Sequence, residues 1–245
     1  MANLLDGAIS FWKFDENAGS VVADNVRTNN GLWEGTLGSQ WTTGLIGSGG
    51  NFNGTDNDVK ILHNANLVPT AGITVAIWLK PDATQVAFSS PISKNNEFYF
   101  ENFGDTTNVY RFTVLINSVE QNSGYTAALG TTSFSLLLGT YEQSTGYHAI
   151  YVNNSLANSA THVGNYALTG GTNDLYIGNR TGFSRQFKGV IDSVGIWNRV
   201  LTSSERTLFY NNGAGLQYPF NDNRYGNYAK YIRVDNGMSR SEGAR

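Results

Sequence analysis

Apolar and polar residues alternate along most of this chain, with the period of two that sends successive side chains to opposite faces of a strand. In the segment 73–80, Ile73, Val75, Ile77 and Leu79 share one face and Thr74, Ala76, Trp78 and Lys80 the other. Pro81 closes it, because proline cannot continue a central ladder. The segment 187–197 is denser. Val190, Val194 and Ile196 fall on one parity and Ile191 and Trp197 on the other, the pattern of a strand buried on one face and partly covered on its back. Weaker runs at 8–14, 21–23, 32–37, 40–43, 51–62, 86–93, 97–102, 110–116, 136–142, 147–152 and 175–178 bring the expectation to about twelve to fourteen strands. One helix is expected after Leu201. Thr202 and Glu205 have the spacing of a capping box, Leu208 and Phe209 supply an apolar side, and Asn212 with Gly213 offers a left-handed end. Strands that never alternate with helices define an all-β chain: a two-sheet antiparallel β-sandwich of the jelly-roll kind with one short C-terminal helix.

Composition narrows this further. A chain of 245 residues fits one all-β unit, and 13% aromatic residues against 14% charged ones are enough to build a core. The net charge of −3 argues against a nucleic-acid partner. With no cysteine, disulfides, thiol catalysis and cysteine-bound zinc are excluded. No apolar run is long enough for membrane insertion, and the first residues read without a secretion signal. Residues 218–245 differ from 1–217: they carry five Lys or Arg against three Asp or Glu, together with Tyr218, Tyr225, Tyr228 and Tyr231. They read as a basic, tyrosine-rich arm that either packs on its own domain or docks on a neighbouring subunit.

Candidate chemistry is sparse. Glu97 and Glu101 lie on one face of a strand with Tyr99 between them. Four residues of strand rise separate their backbones by about 13 Å, which is wide for a glycosidase pair, so both are expected to face solvent. His63, His148 and His162 are scattered without a metal-ligand spacing and read as surface or loop residues.

Four stretches resemble the LamG-like, concanavalin A-like jelly-roll domains. They are FWKFDENAG at 11–19 with Asp24, NFNGTDNDV at 51–59, ITVAIWLKP at 73–81, and FKGVIDSVGIWNRVLTSSE at 187–205 followed by LFYNNG at 208–213. They occur in the family's order and span nearly all of 8–216. The match departs at 133–140, where Phe134 to Leu138 replace the Trp-His pair that precedes Gly139-Thr140-Tyr141 in the family, leaving 110–138 without an assigned register. Residues 218–245 have no family counterpart.

The resemblance implies a non-catalytic glycan-binding or adhesion module. The Glu-x-Asp-x-x-Glu strand of laminarinase-type members is absent. No cofactor is required. A structural calcium ion is the candidate metal, with Asp15, Glu16 and Asp192 as ligands on the first and last strands; in the other reading these carboxylates accept backbone amides. Trp33, Trp41, Tyr141 and Tyr166 are the candidates for a glycan-stacking platform. The leading expectation is a bacteriophage virion surface protein, either a capsid decoration (cement) protein or a tail- or fibre-associated one. It would contact other virion proteins or its own copies through Tyr225, Tyr228, Tyr231 and Arg233. A free-standing extracellular lectin-like module is the alternative, and a glycoside hydrolase a more remote one.

Overall fold

The computed structural model describes residues 3–104, 108–163, 167–182 and 184–220. In chain order the strands are β1 (Ala8–Trp12), β2 (Val21–Val22), β3 (Gly31–Glu34), β4 (Trp41–Thr43), β5 (Ser48–Asn53), β6 (Asp58–Ile61), β7 (Gly72–Pro81) and β8 (Ile92–Lys94). They continue with β9 (Phe98–Asn102), β10 (Tyr110–Ile116), β11 (Val119–Tyr125), β12 (Ser135–Glu142), β13 (Tyr147–Val152), β14 (Ser155–Thr161), β15 (Leu175–Ile177) and β16 (Lys188–Trp197). The helix α1 spans Ser203–Tyr210. The first sheet runs β14-β13-β12-β7-β16-β5-β4, with β1 also on β16; the second runs β11-β10-β9-β8-β15-β6-β3-β2. All the paired strands are antiparallel. Among the described residues no helix is long and apolar enough to cross a membrane.

The alternation read from β7 explains the layering. Ile73, Val75, Ile77 and Leu79 enter the core between the sheets, with Phe52, Phe100, Phe112 and Ile150. Ala76 and Trp78 point the other way into a second apolar cluster with Leu4, Phe11, Trp197 and Phe209. The first sheet is therefore buried on both faces near its centre, which is why β7 and β16 are so densely apolar. In β16 the register shifts between Asp192 and Val194, where Ser193 adopts a φ of 49°. That bulge puts Ile191 on the same side as Val194 and Ile196 and leaves Val190 outside this set, correcting the parity expected from strict alternation.

The capping box forms as expected: the Thr202 hydroxyl accepts from the Glu205 amide, and the Glu205 carboxylate accepts from the Thr202 amide. Arg199 grips the same carboxylate with Nη1 at 2.7 Å and Nη2 at 2.9 Å. The helix ends one residue earlier than expected, on left-handed Asn211 (φ 48°). Beyond it, Phe220 packs edge-on against Phe11 at 5.1 Å and is 9% exposed, so sandwich packing continues past residue 217.

Two further expectations change. The single strand at 51–62 is split by a turn in which the Asn53 side chain accepts from the amides of Thr55 and Asp56. The run 86–93 is strand only from Ile92 onward, after Phe88 turns left-handed at φ 58°.

Candidate ligand-binding face

The outer face of the second sheet presents one row in register across all eight strands: Val21, Leu32, Lys60, Tyr176, Ser93, Tyr99, Thr113 and Asn122. Their strand neighbours Trp33, Val59, Ile61, Ile177, Ile92, Phe98, Phe100, Phe112 and Val114 fill the core, so the row faces away from it. Seven inter-strand steps of about 4.8 Å make this face roughly 34 Å wide. The connection from β15 to β16 crosses it. There the Ser93 hydroxyl donates to the Asn179 carbonyl at 2.7 Å, and the Arg180 guanidinium lies 3.7 Å from the Tyr99 ring centre.

Two residues along β9 and β10, on the same face, lies an ionic network centred on Glu101, which is 2% exposed. Its Oε1 accepts from Arg111 Nε at 3.1 Å and Nη2 at 2.6 Å. Its Oε2 accepts from Arg180 Nη1 at 3.2 Å and from Arg185 Nη1. Arg180 also donates from Nε to Asn95 and from Nη2 to Glu120 at 3.2 Å. Burial raises the Glu120 carboxyl, but the Tyr99 hydroxyl beside it and Arg180 hold it below the ordinary range. Bonding of this kind fixes three arginine side chains that would otherwise be rotamer-rich, and so prepays their ordering.

Aromatic rings rim the network. Phe103 and Tyr125 meet edge-on at 4.7 Å, with Arg111 stacked 5.5 Å from the Tyr125 ring. Arg185 lies 5.2 Å from the Phe88 ring. Phe103 is 53% and Phe88 37% exposed. Phe88 adopts its positive φ despite its bulk, a conformation that costs free energy and concentrates at functional sites. Exposed rings beside fixed polar groups suit a ligand with both apolar faces and hydroxyls.

The residues expected from sequence lie elsewhere. Trp33 is 3% exposed and stacks in the core against Phe52 at 4.7 Å, and Tyr141 is 0% exposed, so neither can serve as a platform. On β3 the outward members are Leu32 and Glu34, and the tryptophan is the core residue. Trp41 is half-buried against Phe14 and Trp33, with its indole N–H donating to the Gly19 carbonyl. Tyr166, Tyr225, Tyr228, Tyr231 and Arg233 lie outside the described residues.

Asp15 and Asp192 converge on the 44–48 loop. Asp15 Oδ1 accepts from the Ser48 amide, and Asp192 Oδ2 accepts from the Leu45 and Ile46 amides at 2.8 and 2.9 Å. Glu16 turns away to the Ala23 amide. Among the described residues no three carboxylate or imidazole side chains gather around one point. Desolvation, helped by the nearby Asp15 charge, pushes Asp192 up to about 6, against the amides and the Ser193 hydroxyl that lower it.

Glu97 and Glu101 are buried rather than solvent-facing. Glu97 pairs with the fully buried Lys94 and Glu101 with three arginines, so the two carboxyl groups serve separate ion pairs. His148 is likewise buried, with Nδ1 3.3 Å from His162 Nε2, and burial followed by the His162 charge pushes it down to about 3.

A family model described as the concanavalin A-like lectin/glucanases superfamily matches residues 53–205, more than half of the chain. The chain belongs to this superfamily. No curated protein matches the sequence. Among solved structures, the fold is similar to that of domain 4 of AbnA, a GH43 extracellular arabinanase from Geobacillus stearothermophilus, solved in complex with arabinotriose. It has a TM-score of 0.65 and 19% identity, over 82% of this chain and 96% of that one. The binding domain of Paraclostridial Mosquitocidal Protein 1 has a TM-score of 0.69 and 13% identity, over 86% of this chain and 53% of that one. The botulinum neurotoxin type C structure concerned with binding of two ganglioside molecules has a TM-score of 0.64 and 14% identity, over 85% of this chain and 52% of that one. The chain thus spans about half the length of the two toxin structures. At these identities the likeness is one of fold.

Within the superfamily frame, Arg111, Arg180, Arg185, Phe103 and Tyr125 were not anticipated. They come from two strands and two connections, and only the register of β9 on β10 and the folding back of 178–187 bring them together. The one local signal was Tyr99-x-Glu101 interleaved with Phe98 and Phe100, which marks a strand with an ionisable outer face.

Proposed function

We propose that the protein is a non-catalytic carbohydrate-binding module whose ligand lies on the outer face of the second sheet. The observation that carries this reading is the rim of exposed Phe88 and Phe103 and half-buried Tyr125 around the rigid Glu101–arginine network. The saccharide-bound arabinanase domain and the ganglioside-related toxin structure support it by likeness of fold. Both Glu101 oxygens are taken up by guanidinium groups, which favours binding over glycosidic bond cleavage. A glycan array followed by calorimetry on the best binder tests it. Tyr125→Ala and Phe103→Ala are each expected to weaken binding roughly tenfold or more. Full retention of affinity in both variants contradicts this placement.

A narrower reading sets the module on a virus particle, as a capsid decoration or tail- or fibre-associated protein. It rests on the basic, tyrosine-rich character of 218–245. Deleting 221–245 is then expected to abolish particle association while leaving sugar binding intact. A free-standing extracellular lectin would show no particle association to lose.

A further inference from the structure

The Tyr99 hydroxyl is poorly satisfied on this face. Tyr99 is 0% exposed, and its hydroxyl has no hydrogen-bond partner of proper geometry, although the Glu120 carboxylate lies beside it. A buried hydroxyl without a partner is costly, and such groups are rare in folded proteins. Next to it, Arg180 is held on three sides: stacked on the Tyr99 ring, bonded through Nε to Asn95 and through Nη1 to Glu101. Its side chain is 7% exposed. The fourth side is filled by Glu120, which sits on the edge strand β11 with its side chain 47% exposed. A fixed guanidinium and a waiting hydroxyl thus form a recess for a carboxylate, and a loosely held carboxylate of the chain occupies it imperfectly.

We propose that this recess takes the carboxylate of an acidic sugar, a uronic-acid-type unit of the glycan, which displaces Glu120 from Arg180 and accepts the Tyr99 hydroxyl. The inference rests on the carbohydrate-binding reading above and names its ligand class. Glu120 acts as an internal stand-in for the ligand. The Arg180–Glu120 contact is a half-exposed ion pair, the weak kind that an arriving group can replace. A ligand carboxylate seated squarely improves on the poorly formed contact that Glu120 makes with the buried hydroxyl, and fork-like pairing suits a planar carboxylate. Phe103 and Tyr125 flank the network and offer stacking for the rest of the sugar. The surrounding charge agrees: Arg111, Arg180 and Arg185 face two carboxylates, leaving a surplus of one positive charge, which becomes two when Glu120 swings out.

The test is calorimetric titration of the full chain with tetragalacturonate and with neutral galactotetraose at fixed ionic strength. The acidic probe is expected to bind more tightly. Glu120→Gln removes the internal competitor and is expected to tighten the acidic probe roughly two- to fivefold, a larger change than for the neutral one. Tyr99→Phe is expected to weaken the acidic probe about tenfold or more. It is also expected to leave thermal stability nearly unchanged, since the buried hydroxyl it deletes makes only a poorly formed contact with Glu120. Equal affinity for the two probes, or an acidic-probe affinity unmoved by both substitutions, overturns the inference. If the neutral probe still binds in a Tyr125-dependent way, the carbohydrate-binding reading survives that failure. If a glycan array finds no ligand of any charge, both fall.

Discussion

Replacing Glu101 by glutamine tests how far the face depends on a single buried charge. The side chain keeps its shape, but one of its two oxygens becomes an NH2 group. In the native protein Oε1 serves two Arg111 donors and Oε2 serves Arg180 and Arg185. Either orientation of the amide therefore turns a donor toward guanidinium donors and loses two bonds. Bonds to a charged group contribute about 1.5–3 kcal/mol each. Removing one partner of a buried ion pair costs about 3–5 kcal/mol. The two routes agree on a loss of about 3–5 kcal/mol. For a domain of this size each kcal/mol moves Tm by roughly 2–4 °C, so Glu101→Gln is expected to melt some 6–20 °C lower. Urea unfolding should show the loss as a lower midpoint at unchanged slope, and sugar affinity should fall with it. A loss below about 1 kcal/mol, the range of an exposed pair, refutes the reasoning and means that the arginines are held without Glu101.

Further expectations concern the rest of the scaffold. Asp192 keeps its proton up to about pH 6 in the folded protein, against 3.8 ordinarily. The folded state thus binds more protons between these values, and stability falls as pH rises from about 4 to 6, by about 3 kcal/mol. Asp192→Asn should flatten this decline in denaturation curves from pH 4 to 8, being near native stability at pH 4 and more stable at pH 7; the same pH profile as the native protein would contradict the assignment. Glu205→Ala removes the reciprocal cap, the Asn3 amide contact and both Arg199 bonds. It should cost about 2–4 kcal/mol in urea unfolding, and a cost below half a kcal/mol would show that the cap is dispensable.

The frame of the molecule was legible because its central strands are long and apolar. β7 and the capping box of α1 follow from local chemistry alone. The edge strands β11 and β14 did not, because VEQNSGY and SLANSAT are polar, bury almost no side chain fully and carry no alternation to read. Their turns, at Asn117-Ser118 and Asn153-Asn154, take positive φ at non-glycine residues, and only the second was recognisable as a hairpin. The ligand face was harder still. Trp33 is large and lies in a loop-rich stretch, which suggested exposure, yet the pleat turns it inward. Charged residues such as Glu101 and Arg180 read as solvated because nothing in the local sequence announces partners 79 positions away.

The most direct measurement of the central claim is amide hydrogen exchange with and without the best-binding glycan. The account predicts ligand-dependent protection in β9, β10 and the Asn179–Arg180 connection, with α1 and its outer-face cluster on the first sheet unchanged. Protection confined to the open depression formed by Asp15, Asn17, Thr42, Thr43, Gly47 and Ser48 would contradict it and move the binding site to the loops beside Trp41.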